Sequence, residues 1–400
     1  MNFPAERKNT MSDRNDRSLW SSALKSFFSD KLALAGLTGI ASLLLAALFA
    51  PFIANGKPLV MMVNGKLLFP FIRTFFAPES SETFVECFFN FCSVMLVVYG
   101  ILFRFRRSPV KRMILIIFPV ILLIPFILTK PRMDQTDYRK YAAEHASWAV
   151  FAPIPYGADE IVGTPCAAPD RDHWLGCDDI GRDLASRLIY GSRVSLAVGI
   201  FSTVIAMFIG ISVGMTAGFY GGTTDLAIMR LVEILLCLPT FLLLLIFMSL
   251  LGDYRIAQSI PLVIGVIGLT GWLQLAILVR GETLKQRALP YIQSCIVSGI
   301  SPGRIMFRHL LPNISAPVLI SFTFGIAGAI LGESGLSFLG FGVQPPTSSW
   351  GNLLRQAFDN PFAYWHLTFF PGAALFIAVI SFNFTGEALR KAFNADRGDH

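Results

Sequence analysis

The sequence predicts an all-α integral membrane protein of about eight spans, with both termini in the cytoplasm. Three observations carry this. Hydrophobic residues fill 54% of the 400 positions and charged residues only 15%. The apolar residues gather into stretches of about 20, long enough to cross ~30 Å of hydrocarbon as a helix. The basic residues fall in short segments between those stretches, which orients the spans with positive loops inside. The net charge of +7 therefore reads as membrane orientation. No separate aromatic and basic module of a nucleic-acid reader accompanies it.

Taken in order, residues 1–31 form a cytoplasmic tail carrying Arg7, Lys8, Arg14, Arg17, Lys25 and Lys31. With about thirty polar residues ahead of the first span, a cleavable signal peptide is not expected. The first span covers 32–54 and leaves the cytoplasm. An external segment over 55–130 starts with the turn signal Asn55-Gly56-Lys57-Pro58 and is interrupted by an inserted transmembrane hairpin at about 84–128. Its limbs are Phe84–Phe103 and Met113–Leu128, joined by a turn in which Arg104, Arg106, Arg107, Lys111 and Arg112 stand without an acidic residue. The second limb is short and holds Pro119 and Pro125, so a re-entrant segment also fits. Residues 131–190 form a periplasmic loop, with an amphipathic helix expected over Tyr138–Trp148. A transmembrane core at 191–389 holds spans near 195–219, 231–251, 260–279, 316–331 and 368–388, before a cytoplasmic tail at 390–400. No internal repeat stands out.

The most informative stretch is the polar island 287–313 between two spans, where Arg287, Arg304, Arg308 and His309 occur without Asp or Glu. It has the build of a helical hairpin. A first helix fits 288–298 and ends at Gly299, which takes the left-handed position. Ser301 is placed as an N-cap and Pro302 as first residue of a second helix through His309. Pro312, within Leu311-Pro312-Asn313, is expected to stop it. A plain basic loop of any polytopic protein is the competing reading.

Catalytic chemistry finds no support. The chain has no G-x-x-x-x-G-K-[ST] stretch with which to hold ATP. Two G-x-S-x-G matches, at Gly210–Gly214 and Gly299–Gly303, fall in a span and in the turn just described, not after a strand. In the first, small residues let helices approach closely. Cys166 and Cys177 share the external loop, where a disulfide and two free thiols both fit. His173 alone does not complete a metal site, and no cofactor is expected.

Several stretches resemble those of the C-type permease subunits of dipeptide and oligopeptide ABC importers. They are Trp174-Leu175-Gly176 with Gly181-Arg182-Asp183, Arg187 to Gly191, the turn Gly218-Phe219-Tyr220-Gly221-Gly222, and Leu336 to Pro346. Ser349-Trp350-Gly351-Asn352 and the last span from Phe370-Pro371-Gly372 to Arg390 also match, so the resemblance covers 172–393 and the first span. Ala54 to Leu59, Leu68-Phe69-Pro70 and Trp148 to Pro153 look like the long external loop of the microcin C/oligopeptide subgroup, which here is interrupted. The resemblance implies a type I, MetI-like helix bundle of six core spans plus the extra hairpin. It also implies a non-catalytic inner-membrane subunit that forms half of a pore. Its partners would be a second permease, two cytoplasmic ABC ATPases, a periplasmic solute-binding protein and a peptide substrate.

By the same resemblance, 287–313 is the loop that docks on the ATPase. Its motif positions are Gln293, Ser294, Cys295, Gly299 and the tail Arg308-His309-Leu310-Leu311-Pro312-Asn313, with Gln293 where a carboxylate is usual. Asp179, Arg182, Asp183 and Arg187 either receive the binding protein or pair among themselves to cap a helix. Glu333, a lone carboxylate in a span, either faces the substrate path or bonds to neighbouring helices. Met207, Met215, Met229 and Met248 fit ordinary packing better than a peptide-facing lining. Two alternatives come from other classes: a self-sufficient secondary transporter, and a membrane scaffold or sensor.

Overall fold

The computed structural model describes residues 24–76, 83–104, 118–126, 136–252 and 259–395. Among these residues six helices are long and apolar enough to cross a membrane, and one bent pair brings the number to seven. The basic turn beyond Arg104 and the flanks of the second hairpin limb lie outside the described residues; within that limb, 118–126 is helical. Residues 1–23 and 396–400 of the tails also lie outside them.

Helix α1 (Lys31–Leu48) starts at Asp30, whose carboxylate accepts from the Leu32 N–H at 2.8 Å. It packs along the last helix, and Cβ atoms added at Gly36 and Gly39 would meet Ser381 and Thr385. After it come strands β1 (Val60–Val63) and β2 (Lys66–Leu68), short helix α2 (Pro70–Phe76) and the first hairpin limb α3 (Thr83–Arg104). The external segment also holds α4 (Tyr138–His145) and strand β3 (Ala146–Val150).

The three strands form one antiparallel sheet in the order β2-β1-β3. Asn64 and Gly65, with φ of 49° and 73°, make the two-residue turn between β1 and β2, as Asn-Gly does in hairpins. The helix expected over Tyr138–Trp148 stops at His145, because Ala146, Trp148 and Val150 are drawn into pairing with Val63, Met62 and Val60. The hairpin thus leaves after β2 and returns into β3, two strands that flank β1.

The core is organised by α5 (Leu184–Tyr220) and α8 (Ile260–Arg287). On α5, Gly210, Gly214 and Gly218 recur every fourth residue and so share one face. A Cβ at Gly214 would lie 2.6 Å from the Ala276 carbonyl, and one at Gly218 would lie 2.8 Å from that of Arg280. Reciprocally, a Cβ at Gly268 would lie 2.8 Å from Ile205 Cβ. The apolar run at Gly210–Gly214 is a packing seam, as its position in a span predicts.

Between these helices, the span expected at 231–251 is broken into α6 (Gly222–Leu236) and α7 (Thr240–Gly252), which meet at 83°. Pro239 stands at the break, where it lacks an N–H and disfavours helical geometry at Leu238. Past α8 and the short α9 (Pro290–Val297) comes α10 (Pro302–Leu339), ending at Gly340 in the left-handed conformation. A capped turn, α11 (Trp350–Arg355), and the last helix, α12 (Trp365–Ala395), complete the chain.

Trp350 is fully buried, with its indole N–H on the Leu188 carbonyl and its backbone N–H on Ser195 Oγ, both at 3.2 Å. It thereby ties α11 to the outer end of α5. The inserted α3 is fastened to the core by Arg193, a buried guanidinium on α5 that donates to Asn90 Oδ1 at 2.8 Å and to the Ala47 carbonyl at 2.6 Å.

The seam makes a sharp prediction. Gly214→Ala forces α5 from α8 and lowers stability by about 1–3 kcal/mol, read as a lower unfolding midpoint of the purified protein in detergent. Gly265→Ala, where an added Cβ meets nothing within 4 Å, does not lower the midpoint and raises it slightly through helix propensity.

Candidate functional site

Three places carry the chemistry that the sequence points to: a groove between the core helices, the basic loop at one end and a charge cluster at the other. The groove has a volume of about 550 Å³ and is walled by α5, α8 and α10, with the α6–α7 bend at its side. Among the described residues its lining holds no charged side chain. Thr203 and Thr270 turn their hydroxyls onto carbonyls one turn back in their own helices, at 2.7 and 2.9 Å, and so spend their donors locally. The amide of Gln274 is the most polar group left on the wall.

The inserted hairpin stands behind this groove. On α5, Phe201 touches Phe88 of α3 at a ring distance of 5.2 Å, whereas Ser202, Thr203 and Ala206 face the groove. Of the four methionines considered as a lining, only Met207 reaches it. Met215 and Met248 are buried in helix contacts.

Glu333 does not face the groove. It is fully buried beneath α11 and accepts from Ser337 Oγ at 2.6 Å, with Ser195 and Ser334 hydroxyls at 3.4 Å. The pathway role is therefore corrected to a joint between α5 and α10. Three hydroxyls and a tight site supply what a buried carboxyl needs there.

At the loop, Pro290 starts α9 and Gly299 follows it with φ of 71°. Ser301 sits at the N-cap and Pro302 opens the second helix, as expected, although the Ser301 hydroxyl makes no capping bond. The stop expected at Pro312 is corrected. The helix that begins at Pro302 passes through a π turn at Met306–Leu310 and runs unbroken to Leu339. The Leu311 N–H bonds to the Met306 carbonyl, five residues back, and this wider turn accommodates a proline that has no N–H to give.

Gln293 folds back and donates its amide to the Arg287 carbonyl at 2.8 Å, closing the end of α8. A carboxylate could not donate this bond. Ser294 bonds to Pro290 O at 2.9 Å, and Cys295 packs beside buried Ile292, Ile305 and Leu310 against Phe219 at the end of α5. Arg304 and Arg308 are exposed, and His309 is half-buried.

Val297 and Phe307, which sequence reasoning passed over, are 87% and 61% exposed. The residues alone do not separate them from the loop's other apolar side chains, such as Ile292, Ile305 and Leu310, which are buried. The loop thus exposes two apolar side chains, Val297 and Phe307, and two arginines, Arg304 and Arg308.

At the opposite end, Asp178 bridges Arg182 at 2.6 Å and Arg187 at 3.2 Å. Asp183 caps α5 through the Ser186 N–H at 2.8 Å and takes His173 Nδ1 at 2.9 Å on its other oxygen. Arg182, Asp183 and Arg187 are buried, so the docking reading for these three is corrected to an internal network. Asp179 alone keeps an accessible carboxylate, which burial and the neighbouring Asp178 push above the usual range while Arg182 and Arg187 pull it back.

Cys166 and Cys177 are both free thiols. Their segments run side by side, but Cys166 packs with Leu184, Leu353 and Tyr364, whereas a Cβ at Gly163 would lie 2.4 Å from Cys177 Sγ on the other side. Burial pushes the Cys177 thiol up to about 11, and the carboxylates of Asp183, Asp170 and Asp178 add to it. Alkylation of the folded protein without reductant is expected to label Cys166 ahead of Cys177, with both found as thiols by peptide mass. A peptide pair joined through the two positions would be the contrary outcome.

Comparison with known proteins agrees with this architecture. The family model for the binding-protein-dependent transport system inner membrane component matches residues 210–398, and that for the N-terminal TM domain of oligopeptide transport permease C matches 18–70. The glutathione transport system permease protein GsiD of Pectobacterium atrosepticum is 36% identical over 251 residues, 62% of this chain and 81% of that protein. The dipeptide transport system permease protein DppC of Alkalihalophilus pseudofirmus is 35% identical over 62% of this chain and 80% of its own length. The oligopeptide transport system permease protein OppC of Haemophilus influenzae is 38% identical over 62% and 78%. Neither a secondary transporter nor a membrane scaffold accounts for these matches. With its six or more spans, the chain belongs to the C-type permease subunits of dipeptide and oligopeptide ABC importers, as a multi-pass protein of the inner membrane.

Proposed function

We propose that this subunit forms half of a peptide translocation path and is driven by ATP hydrolysis on separate chains. Its partners are a second permease, two cytoplasmic ATPases and a periplasmic binding protein that delivers oligopeptides, dipeptides or modified peptides. The peptide class follows the relatives, two of which are named for dipeptide and oligopeptide transport.

One observation carries the coupling. The helix that starts in the basic loop at Pro302 is the same helix whose residues Ser321 to Gly332 wall the groove. A push on the loop therefore reaches the groove along one continuous helix, by way of its π turn. In this reading the exposed Val297 and Phe307 enter apolar depressions on an ATPase, and Arg304 and Arg308 pair with acids on it. Gln293 holds the loop to α8 from within. ATP binding then favours one arrangement of the two permeases, because the docked loop contributes differently to each state.

The groove suits a peptide of varied sequence. Its wall is neutral and made largely of small and apolar side chains, so it imposes no charge requirement on the substrate. Selection is left to the binding protein.

Two substitutions test this. Gly299→Asp meets no atom within 4 Å but is held at φ of 71°, so it strains the loop without a clash. The variant is expected to insert and assemble, while peptide uptake by proteoliposomes falls about tenfold, the equivalent of ~1.4 kcal/mol in rate. Normal uptake would reject the coupling role. Gly328→Trp places a large ring in the groove from a position with nothing within 4 Å. It is expected to leave the ATPases bound and block uptake, and undiminished uptake would remove the groove from the path.

A further inference from the structure

The first external segment does not stay in water. Helix α2 lies against the outer part of the inserted hairpin, with Phe71 and Phe75 buried and their rings 4.9 and 5.7 Å from Phe52. Phe76 meets Phe126 of the second limb at 5.1 Å. The buried Asn90 side chain donates to the Phe75 carbonyl at 2.8 Å, which fixes the level of α2 along α3.

That level can be measured along the helix. Asn90 precedes Arg104, the basic inner end of α3, by fourteen residues, or ~21 Å at 1.5 Å per residue. The hydrocarbon layer is ~30 Å thick, so the Phe75 carbonyl stands below the outer boundary of the membrane. At this depth a free backbone carbonyl is costly, and Asn90 supplies its partner.

The opposite face of α2 and the strand before it are apolar and uncovered. Leu67, Phe69 and Ile72 are each about half exposed, at 51%, 47% and 50%. On α3, Phe84 and Phe88 are exposed as well. Arg73, on the same short helix, has an exposed side chain long enough to reach the headgroups while its stem stays in the apolar layer. The groove side of the molecule lies across α5 from this surface, because Phe201 faces α3 while Thr203 faces the groove. A second permease packed over the groove would leave this surface open.

We propose that residues 67–76 form an interfacial segment embedded in the outer leaflet, with Leu67, Phe69 and Ile72 in contact with lipid acyl chains. The hairpin and this segment together form a lateral lobe in the lipid, beside the transport core.

The test places the photoreactive residue p-benzoylphenylalanine at position 69, and separately at 72, in the complete importer in its native membrane. Leu96, exposed on the same hairpin limb, serves as the lipid-facing reference. Irradiation is expected to add the mass of one phospholipid at 69 and at 72, with yields comparable to that at 96. A crosslink to another protein chain would overturn the proposal, since a partner would then cover the face. Lipid adduct at 96 with none at 69 or 72 would overturn it as well, since the segment would then lie in water.

Discussion

The structure depends on how closely α5 and α8 approach each other. Lipid offers no hydrophobic drive between helices, so association rests on van der Waals contact, and contact requires small side chains at the seam. Gly210, Gly214 and Gly218 provide it over three successive turns. The other core helices are arranged around this pair. On one side α10 closes on α5 through Gly199 and Ile330, and on the other α3 reaches Arg193. The groove takes its width from the seam, because two of its walls are these same helices. A shift at the glycines would therefore alter the pore and the loop together.

The outer end is held by polar chemistry instead. Asp178 pairs with Arg182 and Arg187, and Asp183 with His173, inside the external domain, and Glu333 with its hydroxyls joins α5 to α10 below. Buried charges of this kind are costly to break singly and give little net stability as a set. Their effect is geometric: they fix the angle at which α5 enters the membrane. The inner end is lighter. The loop rests on a small apolar cluster around Ile292, Ile305 and Leu310, while its outward residues are unoccupied by this chain. One end is braced by buried charge, and the other keeps its outward face bare.

Much of this was legible in the residues. Apolar length marked the spans, and Gly299 and Pro302 marked the loop hairpin. The misses share a physical cause, which is that tertiary context overrode a local rule. Pro312 reads as a stop, yet a π turn carries the helix past it. Pro239, unmentioned in a run of leucines, bends a span that hydropathy sees as continuous. Glu333 and the external arginines looked like functional charges because sequence shows no partners, and their partners come from segments as far apart as Ser195 and Ser337. The hairpin turn at Asn64-Gly65 was readable from its dipeptide and was passed over in favour of Asn55-Gly56. Val297 and Phe307 are conspicuous only once their exposure is known.

The small external sheet has a consequence for how such a chain can change. Residues Leu68 and Ala146 lie on strands at either side of β1, so the two ends of the inserted segment are held two strand spacings apart, about 10 Å. Between those ends the core also meets α3, where Val85 and Phe89 join the buried cluster and Asn90 takes Arg193. Once the ends are fixed, the entropy of closing the loop grows only slowly with its length. The sheet thus acts as a socket. A lobe of different size or chemistry, grown or grafted between the same two strands but keeping the core-facing side of α3, would leave the transport core to fold on the same terms.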